Sequence, residues 1–226
     1  MVDGAKPLVT ITGVTGFLGS MTAKYYLEDG GYRIRGTVRD VNNATKINPL
    51  KSTLGEELFS KLELVEADLL NQESISAALS GSTYVIHTAS PFVLQDPEDE
   101  MTLIRPAVEG TLAVMNACKT HGVTRCVITS SIAAVRCVSP ENWPADGIFT
   151  EAHWSEANGG PSVITMYSKS KTLAEKAAWD FQASLPEVER FEIVALNPAF
   201  IMGPALLTHD FASGGVLRGM MTSSGP

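Results

Sequence analysis

The chain has 226 residues, 44% of them hydrophobic, and a formal net charge of -8. This length predicts one large domain, or one domain with a small appendage, with enough apolar residues for its own core. The acidic balance disfavours a nucleic-acid partner or an anionic membrane surface. Three irregularly spaced cysteines predict neither a disulfide framework nor a metal site. With no signal-peptide pattern and no apolar run near the ~20 residues that span a bilayer, we expect a cytoplasmic protein.

Short apolar runs alternate with helical patterns along the chain. Several runs are nearly continuous and β-branched, which is typical of parallel strands covered on both faces. The predicted strands are Leu8–Thr12, Tyr32–Val38, Leu62–Val65, Tyr84–Thr88, Arg125–Thr129 and Phe191–Leu196. The predicted helices are Phe17–Glu28, Gln72–Leu79, Glu100–Lys119 and Val163–Ala183. This alternation predicts an α/β doubly wound, mostly parallel sheet (a Rossmann fold) with strand order 3-2-1-4-5-6.

A TGxxGxxG pattern follows the first predicted strand, from Thr12 to Gly19. Glycines at this spacing let the backbone approach a pyrophosphate, and the next helix presents N–H groups and the positive end of its dipole. Glycine also occurs in ordinary turns, but the position between a strand and a helix favours a dinucleotide site. The candidate contacts in this turn are Gly13, Thr15, Gly16, Phe17, Leu18 and Gly19.

The end of the second strand bears on the choice of dinucleotide. Arg39 stands 20 residues after Gly19, and an arginine there binds a 2′-phosphate, whereas NAD sites place a carboxylate on the ribose. Asp40 is the competing candidate, and Arg39 as a solvated strand end is the simpler alternative. Lys46, in the following loop, would add a second positive charge. We predict NADP rather than NAD.

Two further strand ends carry candidate cofactor contacts. Asp68 follows the third strand, where it can accept a hydrogen bond from an adenine amino group with Leu69 beside it. A turn or helix-capping role is the alternative for this aspartate. The fourth strand ends in Thr88, Ala89 and Ser90, whose small side chains let a dinucleotide lie close over the sheet.

Two serines, Ser130 and Ser131, follow the fifth predicted strand. A hydroxyl there would polarise a carbonyl group and stabilise negative charge on its oxygen. We favour Ser131, although a serine at a strand end can also simply satisfy backbone groups.

Tyr167 and Lys171 lie four residues apart in the last predicted helix, and therefore on one face. Ala174 and Ala178 continue that face and allow a close approach to the sheet, so the pair is expected to face the ligand cleft. A cation beside a phenol favours the phenolate, so we expect the pKa of Tyr167 to fall below ~10. Such a tyrosine exchanges a proton with a substrate oxygen, while Lys171 would hold the nicotinamide ribose.

Together these motifs make the chain resemble the extended short-chain dehydrogenase/reductases. The closer similarity is to the dihydroflavonol-reductase-like branch, which also includes fungal aldehyde and methylglyoxal reductases. It spans nearly the whole chain, through TGVTGFLG, VRDVNNATK, DPEDEMTLIRPAVEGTL, VITSSIAAV, EAHWSE, YSKSKTLAEKAAW and NPAFIMGP. The resemblance implies an NADPH-dependent carbonyl reductase with the catalytic residues Ser131, Tyr167 and Lys171.

The resemblance also implies contacts with the cofactor at matching positions. It places Arg39 and Lys46 at the 2′-phosphate and Asp68 and Leu69 at the adenine. It places the backbone of Pro198 and Ile201 at the nicotinamide end.

Some features depart from these relatives. Ala107 holds the place of an Asn found in many short-chain dehydrogenases. Arg136 stands five residues after Ser131, where flavonoid-reducing members resemble one another in having Asn. The hallmark sequence of cinnamoyl-CoA reductases is also missing, so a small aldehyde or ketone is the expected substrate.

The end of the chain bears on the domain organisation. Extended members continue further, into elements that cover the substrate pocket. We expect residues 1–200 to form the NAD(P)-binding domain with the catalytic residues, and residues 201–226 to begin an incomplete substrate-binding region. The turn-rich segment 139–162 is either a lid, with Trp143, Phe149 and Trp154 as an apolar wall, or an ordinary packed loop.

The leading hypothesis is hydride transfer between NADPH and a small aldehyde or ketone, with Tyr167 as proton donor and without a metal. Two alternatives stay open. An NAD-dependent epimerase or dehydratase acting on a nucleotide sugar shares the same motifs, but Arg39 disfavours it. A non-catalytic dinucleotide-sensing protein is disfavoured by the intact Ser, Tyr and Lys.

Overall fold

Strands and helices alternate through the protein, whose computed structural model describes residues 6–90, 97–160, 162–204 and 221–222. The strands are β1 (Leu8–Thr12), β2 (Arg33–Val38), β3 (Leu62–Glu66), β4 (Tyr84–His87), β5 (Arg125–Thr129) and β6 (Glu192–Leu196). The helices are α1 (Phe17–Asp29), α2 (Ala44–Phe59), α3 (Gln72–Leu79), α4 (Met101–Thr120) and α5 (Met166–Ser184). Short 3-10 turns lie at Ile132–Ala134, Pro140–Asn142 and Glu187–Glu189.

The six strands form one sheet in the order β3-β2-β1-β4-β5-β6, and each of its pairings is parallel. This confirms the predicted doubly wound topology. All five residues of the central strand β1 are buried, as expected when helices cover both faces of a parallel sheet. Because the strands are parallel, their carboxyl ends share one edge of the sheet.

Two apolar clusters fill the spaces between the sheet and its helices. On one side, α1 and α2 pack with Val9 and Ile11 of β1. On the other side, α3, α4 and α5 pack with Val85 of β4 and Cys126 of β5. Among the described residues, no helix combines the length and apolar character that crossing a membrane requires.

The helix α2 was not predicted from the sequence. It contains Pro49, and its backbone is interrupted at Gly55, which has φ 73°. Both residues disfavour a continuous helix, yet Leu50 and Leu54 are buried against the sheet and stabilise the segment. The prediction that Lys46 lies in a loop is therefore wrong, since Lys46 lies in the first turn of α2.

Smaller corrections concern element ends. β2 begins at Arg33, β4 ends at His87, and α5 begins at Met166 rather than at Val163. Thr165 sets the start of α5, because its backbone is extended and its hydroxyl accepts the N–H of Ser168 at 3.1 Å. Of the predicted substrate-binding region, residues 205–220 and 223–226 lie outside the described residues.

Candidate active site

The glycine turn between β1 and α1 is closely packed against the neighbouring strands. The Gly13 N–H donates to the Thr37 hydroxyl and the Val14 N–H to the Thr37 carbonyl, each at 3.1 Å. Gly13 has φ 70°, in the left-handed region that glycine adopts readily. A Cβ on Gly19 would collide with the Gly13 carbonyl oxygen and lie 2.9 Å from the Thr88 hydroxyl. The turn therefore requires glycine at both positions.

The same turn fits a phosphate group. Gly16 caps α1 and has no side chain with which to accept the first N–H groups of the helix. Those groups and the helix dipole favour an anion at the helix start. Thr15 lies just before this helix start, and Phe17 and Leu18 are the first two residues of the helix.

The end of β4 lies beside the glycine turn. The Thr88 hydroxyl donates to the Thr12 carbonyl at 2.6 Å, and the Ala89 N–H donates to the Thr12 hydroxyl at 3.1 Å. A Cβ added at Gly13 would approach Ala89 to 3.0 Å. Ser90 follows, exposed to solvent. Thr88, Ala89 and Ser90 thus line the edge of the sheet next to the glycine turn.

The charged residues after β2 differ in what their side chains contact. Asp40 accepts the N–H of Asn42 at 2.8 Å and so stabilises its own turn. Arg39 is exposed, and no ion pair among the described residues includes it. The Arg39 guanidinium is therefore available to an anionic ligand.

At the end of β3, Asp68 is exposed and its carboxylate accepts the N–H of Leu70 at 2.9 Å. This contact is the one expected if Asp68 stabilises a turn, which was the alternative interpretation of this residue from the sequence. Leu69 is half-buried against α4, where a Cβ on Gly110 would come within 2.9 Å of the Leu69 Cβ.

Ser131, Tyr167 and Lys171 meet at the carboxyl end of β5. The Tyr167 hydroxyl is hydrogen-bonded to the Ser131 side chain. The Ser131 oxygen also accepts the Ala133 N–H at 3.1 Å. The Lys171 ammonium donates to the Thr129 carbonyl at 3.3 Å and lies 6.0 Å from the centre of the Tyr167 ring. The three groups therefore form one cluster.

The pKa of Tyr167 corrects one expectation. Burial raises this pKa above its ordinary value of 10.0, and the Ser131 hydrogen bond opposes the rise. The predicted fall is therefore wrong, because spacing along a helix does not reveal how much water the phenol loses. Burial also lowers the pKa of Lys171 from 10.5 to about 8, with the charge of Glu175 acting in the opposite direction.

A cavity of about 20 Å³ adjoins Lys171, large enough for one water molecule. Its wall includes His87, Ala107, Thr111 and Ser130. His87 is buried, and this burial, followed by the charge of Lys171, lowers the pKa of its imidazole to about 3. The imidazole is therefore neutral at physiological pH, with Nδ1 hydrogen-bonded to the Thr12 hydroxyl at 2.8 Å.

The neighbouring serines and lysines have different surroundings. Ser131 contacts Tyr167, whereas the Ser130 hydroxyl is buried without a hydrogen-bond partner in the described part of the chain. Lys171 lies in the cleft, whereas Lys169 forms an ion pair with Glu100 at 2.9 Å. Ser130 and Lys169 are therefore matched controls for the residues that meet Tyr167.

The segment after the serine turn is anchored to it. Ser155 is buried, and its hydroxyl donates to the Ala133 carbonyl at 2.7 Å and accepts the Cys137 N–H at 2.8 Å. Trp143 and Phe149 pack edge to face, with ring centres 6.2 Å apart. The Trp154 ring lies under the Lys176 ammonium of α5, 5.1 Å away. These contacts anchor the segment to the serine turn and to α5, while Trp143 is 58% exposed.

The loop after β6 also contacts the serine turn. The Pro198 carbonyl accepts the Ile132 N–H at 3.0 Å, and Ile201 is partly buried. The Asn197 amide donates to the Ser131 carbonyl at 3.1 Å and to the Glu175 carboxyl group at 2.8 Å.

Glu175 and Asn197 were not predicted as parts of the site. Glu175 is only 7% exposed. Its spacing of four residues from Lys171 was the available signal, since it places a charged side chain on the helix face that turns inward.

The doubly wound sheet, the glycine turn and the Ser-Tyr-Lys cluster define the class of the extended short-chain dehydrogenase/reductases. The model of the 3-beta hydroxysteroid dehydrogenase/isomerase family matches residues 10–212, so the chain belongs to that family.

Curated relatives and solved structures agree with this assignment. The chain is 37% identical to tetraketide alpha-pyrone reductase 1 of Arabidopsis thaliana, over 91% of its own length and 60% of the relative's. It is also 37% identical to a dihydroflavonol 4-reductase of Hordeum vulgare, over 91% of its length and 56% of the relative's.

Among structures, yeast methylglyoxal/isovaleraldehyde reductase complexed with NADPH superimposes with a TM-score of 0.73 at 28% identity, covering 88% of this chain and 59% of that one. Alfalfa (Medicago sativa) vestitone reductase does so with a TM-score of 0.71 at 31% identity, covering 92% and 61%. The chain thus spans about 60% of the length of these relatives.

Proposed function

We propose that this chain binds NADPH and reduces a small aldehyde or ketone, with Tyr167 as the proton donor. The observation that carries the proposal is the hydrogen bond between Tyr167 and Ser131, made from the helix that also places Lys171 in the cleft. The reductase names of the relatives and the NADPH in the yeast enzyme support the cofactor and the reaction class.

The described residues would hold the cofactor along the carboxyl edge of the sheet. The glycine turn and the start of α1 would bind the pyrophosphate, and Arg39 and Lys46 the 2′-phosphate. Asp68 and Leu69 would lie at the adenine, and Pro198 and Ile201 at the nicotinamide end. When bound, NADPH supplies the hydride that is added to the carbonyl carbon.

Tyr167, Ser131 and Lys171 would each have a separate role in the reaction. Because burial raises the pKa of Tyr167, the phenol is protonated at neutral pH and is ready to give its proton to the carbonyl oxygen. Ser131 would donate a hydrogen bond to that oxygen as negative charge develops on it. Lys171 would place a cation beside the phenol and bind the ribose hydroxyls.

The proposal is tested by NADPH oxidation with a panel of aldehydes and ketones, followed by the absorbance of the reduced nicotinamide. We expect turnover with at least one small carbonyl compound, and a larger response with NADPH than with NADH. A flat response across the panel with tight NADPH binding would instead support a dinucleotide sensor. Recovery of NAD tightly held by the purified protein would support the epimerase alternative.

The choice of NADP depends on Arg39. Replacing Arg39 by Ala is expected to weaken NADPH binding by roughly 10- to 100-fold, because a charge-assisted contact with the 2′-phosphate is lost. Binding of NADH should hardly change, since NADH lacks that phosphate. Titrations with NADPH and with NADH, followed by nicotinamide fluorescence, measure the ratio of the two binding affinities.

Arg33→Ala is the matched control, because Arg33 is an exposed arginine at the start of β2, whereas Arg39 directly follows the end of that strand. An Arg39→Ala variant that keeps the NADPH to NADH ratio of the original chain would contradict the assignment.

A further inference from the structure

Glu175 is a buried carboxyl group at the centre of the cluster, one helical turn beyond Lys171. A buried carboxylate is costly unless it is hydrogen-bonded. Its Oε2 accepts the Asn197 Nδ2–H at 2.8 Å, and its Oε1 accepts the Trp179 Nε1–H at 3.3 Å. Trp179 belongs to the same helix, so Asn197 is the partner that links Glu175 to another part of the fold.

Asn197 connects Glu175 to the serine turn. The same Nδ2 group that donates to Glu175 also donates to the Ser131 carbonyl at 3.1 Å. One residue further, the Pro198 carbonyl accepts the Ile132 N–H at 3.0 Å. Two adjacent hydrogen bonds therefore join the loop after β6 to the serine turn, and Glu175 orients the amide that makes one of them.

These contacts close a ring that begins and ends on α5. Tyr167 bonds the Ser131 side chain, Ser131 bonds Asn197 through its carbonyl, and Asn197 bonds Glu175. Tyr167 and Glu175 are eight residues apart on the helix, and Lys171 lies midway between them. The helix thus holds the serine turn at two points, on either side of the lysine.

Among the described residues, the groups that face Lys171 come from α5, β4, β5 and α4. From α5, Tyr167 and Glu175 lie one turn away on either side. From β4, His87 faces the same cavity and is neutral, and from β5 the Thr129 carbonyl accepts the ammonium proton. The wall contributed by α4, at Ala107 and Thr111, is uncharged. Glu175 is therefore the negative group in this set.

We propose that Glu175 is a positioning residue: through Asn197 it fixes the Ser131 turn against Tyr167, and it places a negative charge one helical turn from the Lys171 ammonium, in the wall of the same cavity. This role depends on the proposed function, because it concerns the geometry and charge of the groups that would reduce the carbonyl. It predicts two separable effects, one through Asn197 and one through Lys171.

Glu175→Gln tests the charge, because the amide keeps the volume of the side chain. We expect the titration of Lys171 to move to lower pH, since Glu175 holds the pKa of this lysine up against burial. The titration is followed by NMR on the full chain with 13C-labelled lysine, and Lys171→Met assigns the resonance. We also expect kcat to fall roughly tenfold, with NADPH affinity within about twofold of the original.

Asn197→Ala tests the connection to the serine turn. The Asn197→Ala variant retains the Glu175 side chain, so Lys171 should titrate at the same pH as in the original chain, with a pKa of about 8. In contrast, kcat should fall roughly tenfold. The double variant should lose more kcat than Asn197→Ala alone, because Glu175→Gln also removes the charge beside Lys171, which Asn197→Ala leaves in place. Asp180→Asn removes an exposed charge from the same helix and is the control, expected to leave both quantities unchanged.

A Glu175→Gln variant with unchanged kcat and an unchanged Lys171 titration would overturn the proposal, even if its unfolding free energy fell. That result would leave Glu175 as a packing residue alone. The Lys171 titration is recorded without cofactor or substrate. If the chain reduces no carbonyl compound, the proposed reaction is refuted. The NMR titration would still show whether Glu175 affects the pKa of Lys171.

Discussion

Replacing Tyr167 by Phe is expected to lower kcat for carbonyl reduction by roughly 10²- to 10⁴-fold, the range for loss of a general acid. Phenylalanine keeps the ring, so the packing of α5 and the affinity for NADPH should hardly change. The lost group is the hydroxyl that bonds Ser131 and that, in the proposed mechanism, carries the transferred proton. Single-turnover NADPH oxidation, with cofactor binding measured separately, distinguishes a loss of chemistry from a loss of binding.

Tyr25→Phe is a suitable control for this variant, because Tyr25 is 66% exposed on α1, away from the cluster. Its turnover should match that of the original chain. If Tyr167→Phe also retained full turnover, another group would have to supply the proton and the proposed mechanism would be wrong.

Replacing Lys171 by Met is expected to abolish most turnover and, at the same time, to stabilise the fold at pH 7 by about 1–3 kcal/mol. The lysine has a pKa of 10.5 when unfolded and about 8 when folded. At about 1.36 kcal/mol per pH unit, this difference sets an upper bound of about 3.4 kcal/mol. Partial solvent exposure of the side chain reduces the gain below that bound.

The sign of the pH dependence follows from the two pKa values. Between pH 8 and 10.5 the unfolded chain binds one more proton than the folded chain at this site, so the free energy of unfolding of the original chain rises with pH. Below pH 8 both states hold the proton and the cost of burying the charge is constant. Lys171→Met should lack this rise, which urea unfolding at a series of pH values measures.

Lys169→Met is the control for Lys171→Met. Lys169 lies two residues away and pairs with Glu100 near the surface, where an ion pair contributes about 0–1 kcal/mol. Its loss should slightly destabilise the fold and leave turnover intact. Equal stability of the Lys171→Met variant and the original chain at pH 7 would contradict a buried, charged lysine.

The sheet could be predicted from the sequence because its signals are local. Six apolar runs separated by helical patterns are enough to give the order of a doubly wound sheet, since the handedness of crossovers leaves few alternatives. The helix α2 could not be predicted in the same way. Pro49 and Gly55 give its segment the composition of a loop, and only burial of Leu50 and Leu54 against the sheet makes it helical.

In the candidate site, too, local spacing could be predicted from the sequence, whereas properties that depend on distant residues could not. The spacing of Tyr167 and Lys171 predicted their shared face, and their meeting with Ser131 follows from the order of the strands. The pKa of Tyr167 could not be predicted, because it depends on burial by elements distant in sequence. Asn197 was missed for a related reason, since its contacts with Ser131 and Glu175 join residues 66 and 22 positions apart.

The hydrogen-bonded ring on α5 has a consequence for how such proteins diversify. The helix α5 contacts Ser131 directly through Tyr167, and indirectly through Glu175 and Asn197, so contacts among β5, α5 and the loop after β6 fix the position of Ser131. Loops outside this ring could therefore differ between related proteins without displacing these side chains. Similar proteins named for reducing dihydroflavonols, cinnamoyl-CoA and methylglyoxal are what this separation of framework and specificity would produce.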